Sequence, residues 1–319
     1  MVGTDALQID VLGEPYHQRV IELPDDDEGP VIATLVSRKA PQPTPKAALY
    51  LHGYNDYFFQ THIADFFIER GYDFYALDLR KYGRSLQPHQ TANYVSSLAD
   101  YFPELDEAAR IIRADDEHDT MVIFAHSTGG LISSLWAHSR SHTGAVDGLV
   151  LNSPFFDFNT SWMVRRPLAA VIGRVAGRLP KRPFGSRGVS LYGQSLHQDY
   201  NGEWVYDLSW KPVSSFPARL GWLHAVRLGQ QRLRAGLDIT APILVAHSSA
   251  SFHAPVWDDA AHEADAVLNV EHISRWAPAL GRHVTVVRID GGKHDLTLSR
   301  EPARQRFFSE TQKWLGAYI

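Results

Sequence analysis

The chain contains no cysteine. That excludes a thiol nucleophile, a thiolate metal site and a disulfide framework, and leaves the redox compartment open. Basic residues are not in excess: 31 Lys and Arg stand against 36 Asp and Glu, a formal net charge of -5 at pH 7. Nothing in that balance draws the protein to nucleic acid or anionic lipid. Long hydrophobic runs are also missing. No stretch approaches the ~20 apolar residues of a spanning helix. The opening Met1-Val2-Gly3-Thr4-Asp5 has neither the basic n-region nor the apolar h-region of a signal peptide. The expectation is a cytoplasmic protein with no membrane span. The one charge run, Asp25 to Glu28, reads as a solvated turn.

Apolar residues make up 44% of 319, enough for a large core. The length suits a single α/β core carrying an insertion. Residues 16–23 and 30–37 alternate as an antiparallel pair of strands, and 41–45 is a Pro-rich loop. Short apolar strands are then expected at 47–51, 73–77, 120–125, 148–151, 242–246 and 284–289. Helices are expected between and after them at 63–71, 98–114, 129–139 and 302–315. That rhythm indicates a mostly parallel sheet wound on both faces, with apolar strands that lack alternation because both faces are covered. Between 154 and 239 the rhythm breaks. A helix is expected over 167–179, with Arg165, Arg166, Arg174 and Arg178 on its polar side, and a second near 220–235. The organisation expected is therefore a core of 1–153 and 240–319, with 154–239 inserted.

Ala125-His126-Ser127-Thr128-Gly129-Gly130 follows a buried strand and opens a helix. A sharp strand-to-helix turn of this kind lifts a serine hydroxyl to the carboxyl edge of the sheet and requires tiny residues two before and two after it. Gly129 meets the requirement, and Ala125 is the smallest substitute for a glycine. The base expected for Ser127 is His294, in Gly291-Gly292-Lys293-His294-Asp295 just after the last strand. That position separates it from the other histidines among the 16. The orienting acid is less direct, because Ser248 to Ser251 occupy the place where it is expected. Asp265 is preferred, since Ala264-Asp265-Ala266-Val267-Leu268 leads into a helical stretch, with residues 249–263 as an insert before it. Asp258 and Asp259 stay open as alternatives. The turn Leu51-His52-Gly53-Tyr54 supplies backbone donors for an oxyanion, the candidates being the N–H groups of Tyr54 and Thr128.

His247, His253 and His262 share one loop region at spacings that suit no regular metal-binding element, so neither metal nor cofactor is expected. Pocket-facing candidates are Gly53, Tyr57, Phe58, His126, Phe155, Trp204, Trp210 and Trp222. Phe156 and the Tyr54 side chain accompany them. Their aromatic character favours a small hydrophobic substrate: a lipid-like ester, an aryl ester or a lactone.

Taken together, Leu51-His52-Gly53, Asp78-Leu79-Arg80 through Gly83-Arg84-Ser85, His126-Ser127-Thr128-Gly129-Gly130 and Gly292-Lys293-His294-Asp295 resemble the monoacylglycerol lipase and lysophospholipase branch of the α/β-hydrolase superfamily, of serine aminopeptidase S33 type. Asp265-Ala266-Val267-Leu268 is similar to that branch's acid-bearing loop. The resemblance implies an α/β-hydrolase fold, ester hydrolysis by a Ser-His-Asp triad without a cofactor, and a cap formed by 154–239. The chain departs from the branch at Lys81, where glycine is more usual, at Ala125, and in the insert before Asp265. A lactone-specific enzyme, a carbon–carbon bond hydrolase and a non-catalytic binding module are the other readings of such a chain.

Overall fold

The computed structural model describes residues 7–159, 175–184 and 189–319. The helix expected over 167–179 lies, except for 175–179, outside the described residues. Nine strands form one sheet. In chain order they are β1 (Gln8–Ile9), β2 (His17–Asp26), β3 (Gly29–Arg38), β4 (Lys46–Leu51), β5 (Asp73–Asp78), β6 (Thr120–His126), β7 (Gly148–Asn152), then, beyond a separate two-stranded ladder of β8 (Pro183–Phe184) and β9 (Ala218–Arg219), β10 (Ile243–Ser248) and β11 (Val284–Ile289). The spatial order is β1-β2-β3-β5-β4-β6-β7-β10-β11. The pairs from β1 to β5 by way of β3 are antiparallel, and every pair from β5–β4 to β10–β11 is parallel.

The missing alternation in the central strands has a direct cause. Successive side chains point to opposite faces, and both faces are covered. Ala47, Leu49 and Leu51 of β4 enter one apolar cluster with Ile123 and Ala125 of β6. Ala48 and Tyr50 enter the other, with Val122 and Phe124. The covering helices are α1 (Thr61–Ile68), α2 (Phe102–Arg110), α3 (Thr128–Ser139), α4 (Leu191–Leu196), α5 (Leu220–Arg234), α6 (Val270–Trp276) and α7 (Glu301–Tyr318). The helix expected over 98–114 begins as a 3₁₀ turn, Leu98–Tyr101, capped by Ser97, and ends in a π turn, Ile111–Asp115.

Part of the stretch expected as an insertion packs into the core. Trp222, Ala225, Val226 and Leu233 of α5 lie in the same cluster as Leu131 and Leu135 of α3. A Cβ at Gly229 would stand 2.6 Å from Leu98 Cδ1 and 3.0 Å from Leu135 Cδ1, so glycine permits this close helix approach. The strand ends at the carboxyl edge bring together four loops, following β4, β6, β10 and β11. The loop after β10 is a closed excursion. Phe252 N–H donates to Asp265 O at 2.8 Å and Asp265 N–H to Ala250 O at 2.9 Å. Residues 253–264 therefore bulge out between pinned ends, and Asp265 returns to the sheet edge.

Candidate active site

Ser127 joins β6 to α3 at φ 51°, ψ -115°, a strained conformation that the surroundings over-determine. Its N–H donates to Asn152 O at 3.0 Å, and its carbonyl accepts from Phe155 N–H at 3.0 Å. A Cβ at Gly129 would lie 2.3 Å from His52 O, and one at Gly130 2.8 Å from Pro154 Cβ. Gly129 is thus dictated by backbone crowding against β4 and its loop, and Gly130 by the close approach of Pro154 after β7.

His294 Nε2 is 2.9 Å from Ser127 Oγ, and His294 Nδ1 is 2.9 Å from Asp265 Oδ2. The other Asp265 oxygen accepts from the N–H groups of Val267 at 2.8 Å and Leu268 at 2.7 Å. Burial alone would raise the Asp265 carboxyl. His294 beside it and these backbone donors outweigh the burial and hold it below its ordinary value. A carboxylate there accepts a hydrogen bond from Nδ1–H and so keeps the proton on Nδ1, which leaves Nε2 free to accept from the serine hydroxyl. Asp258 and Asp259, the alternatives, are exposed, and Asp258 caps its own 3₁₀ turn by accepting from Ala260 N–H at 2.8 Å.

The turn after β4, expected to supply oxyanion donors, is held from the core side by His52. Burial keeps this ring from protonating readily. Leu79 N–H donates to its Nε2 at 3.0 Å, so Nδ1 carries the proton and donates to Gly53 O at 2.8 Å. The Gly53 carbonyl and the Tyr54 N–H belong to one planar peptide. Fixing the first fixes the direction of the second. A Cβ at Gly53 would stand 3.0 Å from His126 Nδ1 and 3.1 Å from Ser127 Cβ, so glycine lets this turn approach the serine. Thr128 N–H, at the first position of α3, has no intrahelical acceptor.

A cavity of about 570 Å³ opens onto Ser127 and His294, a size suited to a small molecule. Of the residues expected in it, Tyr54, His126, Thr128, Phe155 and Trp222 line it. Gly53, Tyr57, Phe58, Trp204 and Trp210 do not. Phe58 instead packs with Tyr16, Tyr50 and Phe74 in the core, where Phe156 is also buried. Tyr57 meets Trp210 edge-on at 5.1 Å, and Trp204 stacks on His62 and donates to Leu298 O. Tyr57, Trp204 and Trp210 serve the packing of residues 204–210 on the rest of the chain, a use that aromatic residues share with substrate contact.

The cavity also holds polar groups that sequence reasoning missed. Asp56 pairs with Lys211, both buried. Despite its burial, the Lys211 charge holds the Asp56 carboxyl far below its usual range. His126 Nδ1 lies 3.5 Å from Asp56 and 3.9 Å from Asp295. Asp56, His126 and Asp295 present ligand-type atoms within 4.8 Å of one another, yet the Lys211 ammonium already supplies the cation and would repel a second. Tyr192 meets the His294 ring edge-on at 5.3 Å. His247, His253 and His262 do not converge: they bond Ser274, bond Asn159 and pack on Trp257 respectively. No helix among the described residues is long and apolar enough to cross a membrane.

An eight-stranded 1-2-4-3-5-6-7-8 order after the short β1, with a serine at the turn after β6, defines an α/β-hydrolase fold. Residues 42–301 match the model of the serine aminopeptidase S33 family, and the chain belongs to that family. No curated protein sequence is significantly similar to it. The fold is similar to that of a monoglyceride lipase from Saccharomyces cerevisiae, with TM-score 0.67 at 14% identity over 95% of this chain and 97% of that one. It is also similar to a monoacylglycerol lipase from Paleococcus ferrophilus (0.66, 20%, 89% and 99%) and a carboxyl esterase from Bacillus coagulans (0.66, 14%, 94% and 98%).

Proposed function

We propose that the protein is a serine hydrolase that cleaves a carboxylic ester bond of a small hydrophobic substrate. The observation that carries this reading is the hydrogen-bonded line Ser127 Oγ–His294–Asp265, with both links at 2.9 Å, opening on a cavity of about 570 Å³. In the proposed reaction His294 Nε2 takes the Ser127 proton as Oγ attacks the ester carbonyl. The oxyanion accepts hydrogen bonds from Tyr54 and Thr128 N–H. Collapse expels the alcohol, protonated by His294. Water, deprotonated by the same histidine, then releases the acid from the acyl-enzyme. Residues 154–239 act as the cap: Ser190 to Gly193, Pro212, Val213 and Ser215 contribute to the cavity wall.

The lining favours an ester over a peptide with a free amine. Such an amine needs an unpaired carboxylate, and the one carboxylate lining the cavity among the described residues, Asp56, is already paired with Lys211. Phe155, Phe158, Trp222, Leu223, Val267 and Leu268 give a predominantly apolar wall. The test is hydrolysis of p-nitrophenyl esters of increasing acyl length beside Ser127→Ala. Serine-dependent cleavage supports the reading, and the optimum length separates short aryl from lipid-like acyl groups. Activity confined to cyclic esters moves the assignment to a lactonase. A folded wild type inert on both refutes the reading.

A further inference from the structure

Four consecutive residues of the oxyanion turn each grip one short stretch of the inserted segment. Tyr57 hydroxyl accepts from Asp207 N–H at 2.7 Å. Asp56 pairs with Lys211. Asn55 Nδ2 donates to Pro212 O at 3.1 Å, and Asn55 Oδ1 accepts from Phe216 N–H at 3.0 Å. Tyr54 hydroxyl donates to Phe216 O at 3.3 Å. These contacts span 150 to 162 positions of sequence and fall on, or within three residues of, the residue whose N–H is the proposed oxyanion donor.

Asn55 is the centre of this clamp. It sits at φ 52°, in the left-handed region that few residues other than glycine, asparagine and aspartate adopt readily. Its side chain uses both ends of the amide, so the backbone turn and the inserted segment are locked as one unit. His52 holds the same turn from the core side through the Gly53 carbonyl. The peptide between Gly53 and Asn55 is thus fixed from two directions, one belonging to the core and one to the insertion.

We infer that Asn55 is a positioning residue for the oxyanion hole: by pinning Pro212 and Phe216 it holds the Tyr54 N–H in line, so that the inserted segment is part of the catalytic support and not only a cover. The inference rests on the hydrolase reading above. It makes docking of 207–216 a condition for transition-state stabilisation, with little bearing on ground-state binding.

Asn55→Gly tests this. Glycine tolerates the positive φ, so the variant removes the clamp without adding backbone strain. Loss of one oxyanion donor costs about 10²–10³ in rate. A donor left in place but loosened is expected to cost roughly 10–10² in kcat on a p-nitrophenyl ester, with KM changed less than about twofold. Affinity for a trifluoromethyl ketone, whose tetrahedral adduct places an oxyanion in the hole, should fall by the same factor as kcat/KM. Asn55→Asp keeps the acceptor for Phe216 N–H and loses the donor to Pro212 O, and should recover part of the loss; it also serves if the glycine variant does not fold. A kcat within about threefold of wild type overturns the inference, as does a rise in KM at constant kcat, which would make Asn55 a substrate contact. An inert wild type overturns the hydrolase reading and this inference together, whereas an active wild type with unaffected variants overturns this inference alone.

Discussion

Lys293 donates its ammonium to the carbonyl oxygen of Ser195 at 2.7 Å. The lysine immediately precedes His294, and Ser195 lies in α4, so the bond ties the inserted stretch to the histidine loop. Lys293 is buried, and no carboxylate among the described residues lies within ion-pairing distance of it.

That environment gives a pH signature. Burial pushes the Lys293 ammonium down to about 8 from 10.5, with Arg300 and Arg304 adding to the shift and Glu203 opposing it. The unfolded chain keeps this proton up to about pH 10.5, while the folded chain releases it near 8. Between those values the unfolded state binds more protons, so this group's contribution makes stability rise with pH. At 1.36 kcal/mol per pKa unit the gain is on the order of 3 kcal/mol across the window. Lys293→Met should remove that rise. Melting temperatures of both proteins at pH 7.5 and 9.5, subtracted, isolate it from the other lysines and tyrosines; equal pH dependence in the two would refute the assignment.

The choice among the acidic residues of the 249–265 loop is open to a direct comparison. Asp265→Asn should lower kcat by roughly 10²–10⁴, since an amide cannot hold the productive histidine tautomer. Asp258→Asn should leave kcat within about twofold, because asparagine caps a helical turn as well as aspartate does. Asp259→Asn, at an exposed position, should do the same. A large loss in either of the last two would displace Asp265 from its proposed role.

This loop also shows why parts of the site were legible in the sequence and others were not. The serine turn is readable because backbone crowding at Gly129 leaves a local imprint, and His294 because it follows the last strand. Asp265 is partly obscured, since the insert shifts it along the sequence, while the pairing of its backbone with Ala250 and Phe252 cancels the shift in space. The central strands β4, β5, β6, β7 and β10 were readable as buried runs because two apolar clusters sandwich the sheet there. The Asp56–Lys211 pair has no local signature at all: its members stand 155 residues apart. Tyr57, Phe58, Trp204 and Trp210 carry the composition of a pocket wall, yet Phe58 packs inside the core and the other three pack residues 204–210 against it. Composition cannot separate the two uses.

The Asp56–Lys211 pair should be costly to break by halves. Removing one partner of a buried ion pair leaves an uncompensated charge, at about 3–5 kcal/mol. Lys211→Met is expected to destabilise the protein by that order, and Asp56→Asn combined with Lys211→Met to recover most of the loss. Urea unfolding of Lys211→Met, Asp56→Asn and the double variant measures this, and an additive double variant would show that the two groups are not coupled.

Positions 125 and 129 flank the serine symmetrically in sequence but not in space. A Cβ at Gly129 would lie 2.3 Å from His52 O and 2.7 Å from Leu51 O. Both obstacles are backbone atoms of β4 and its loop, which cannot swing aside as a side chain can. Ala125 already carries its Cβ inside β6, fully buried against the core. Gly129→Ala should therefore cost 3 kcal/mol or more, above the ~1–3 kcal/mol typical of overpacking, and should displace the oxyanion turn, lowering kcat with it. Ala125→Gly removes only a methyl group and adds backbone freedom, a loss of about 1 kcal/mol, with kcat little changed. Urea midpoints and ester kinetics on the two variants decide the matter. Equal stability of Gly129→Ala and wild type would mean that the serine turn has room that the β4 loop does not show.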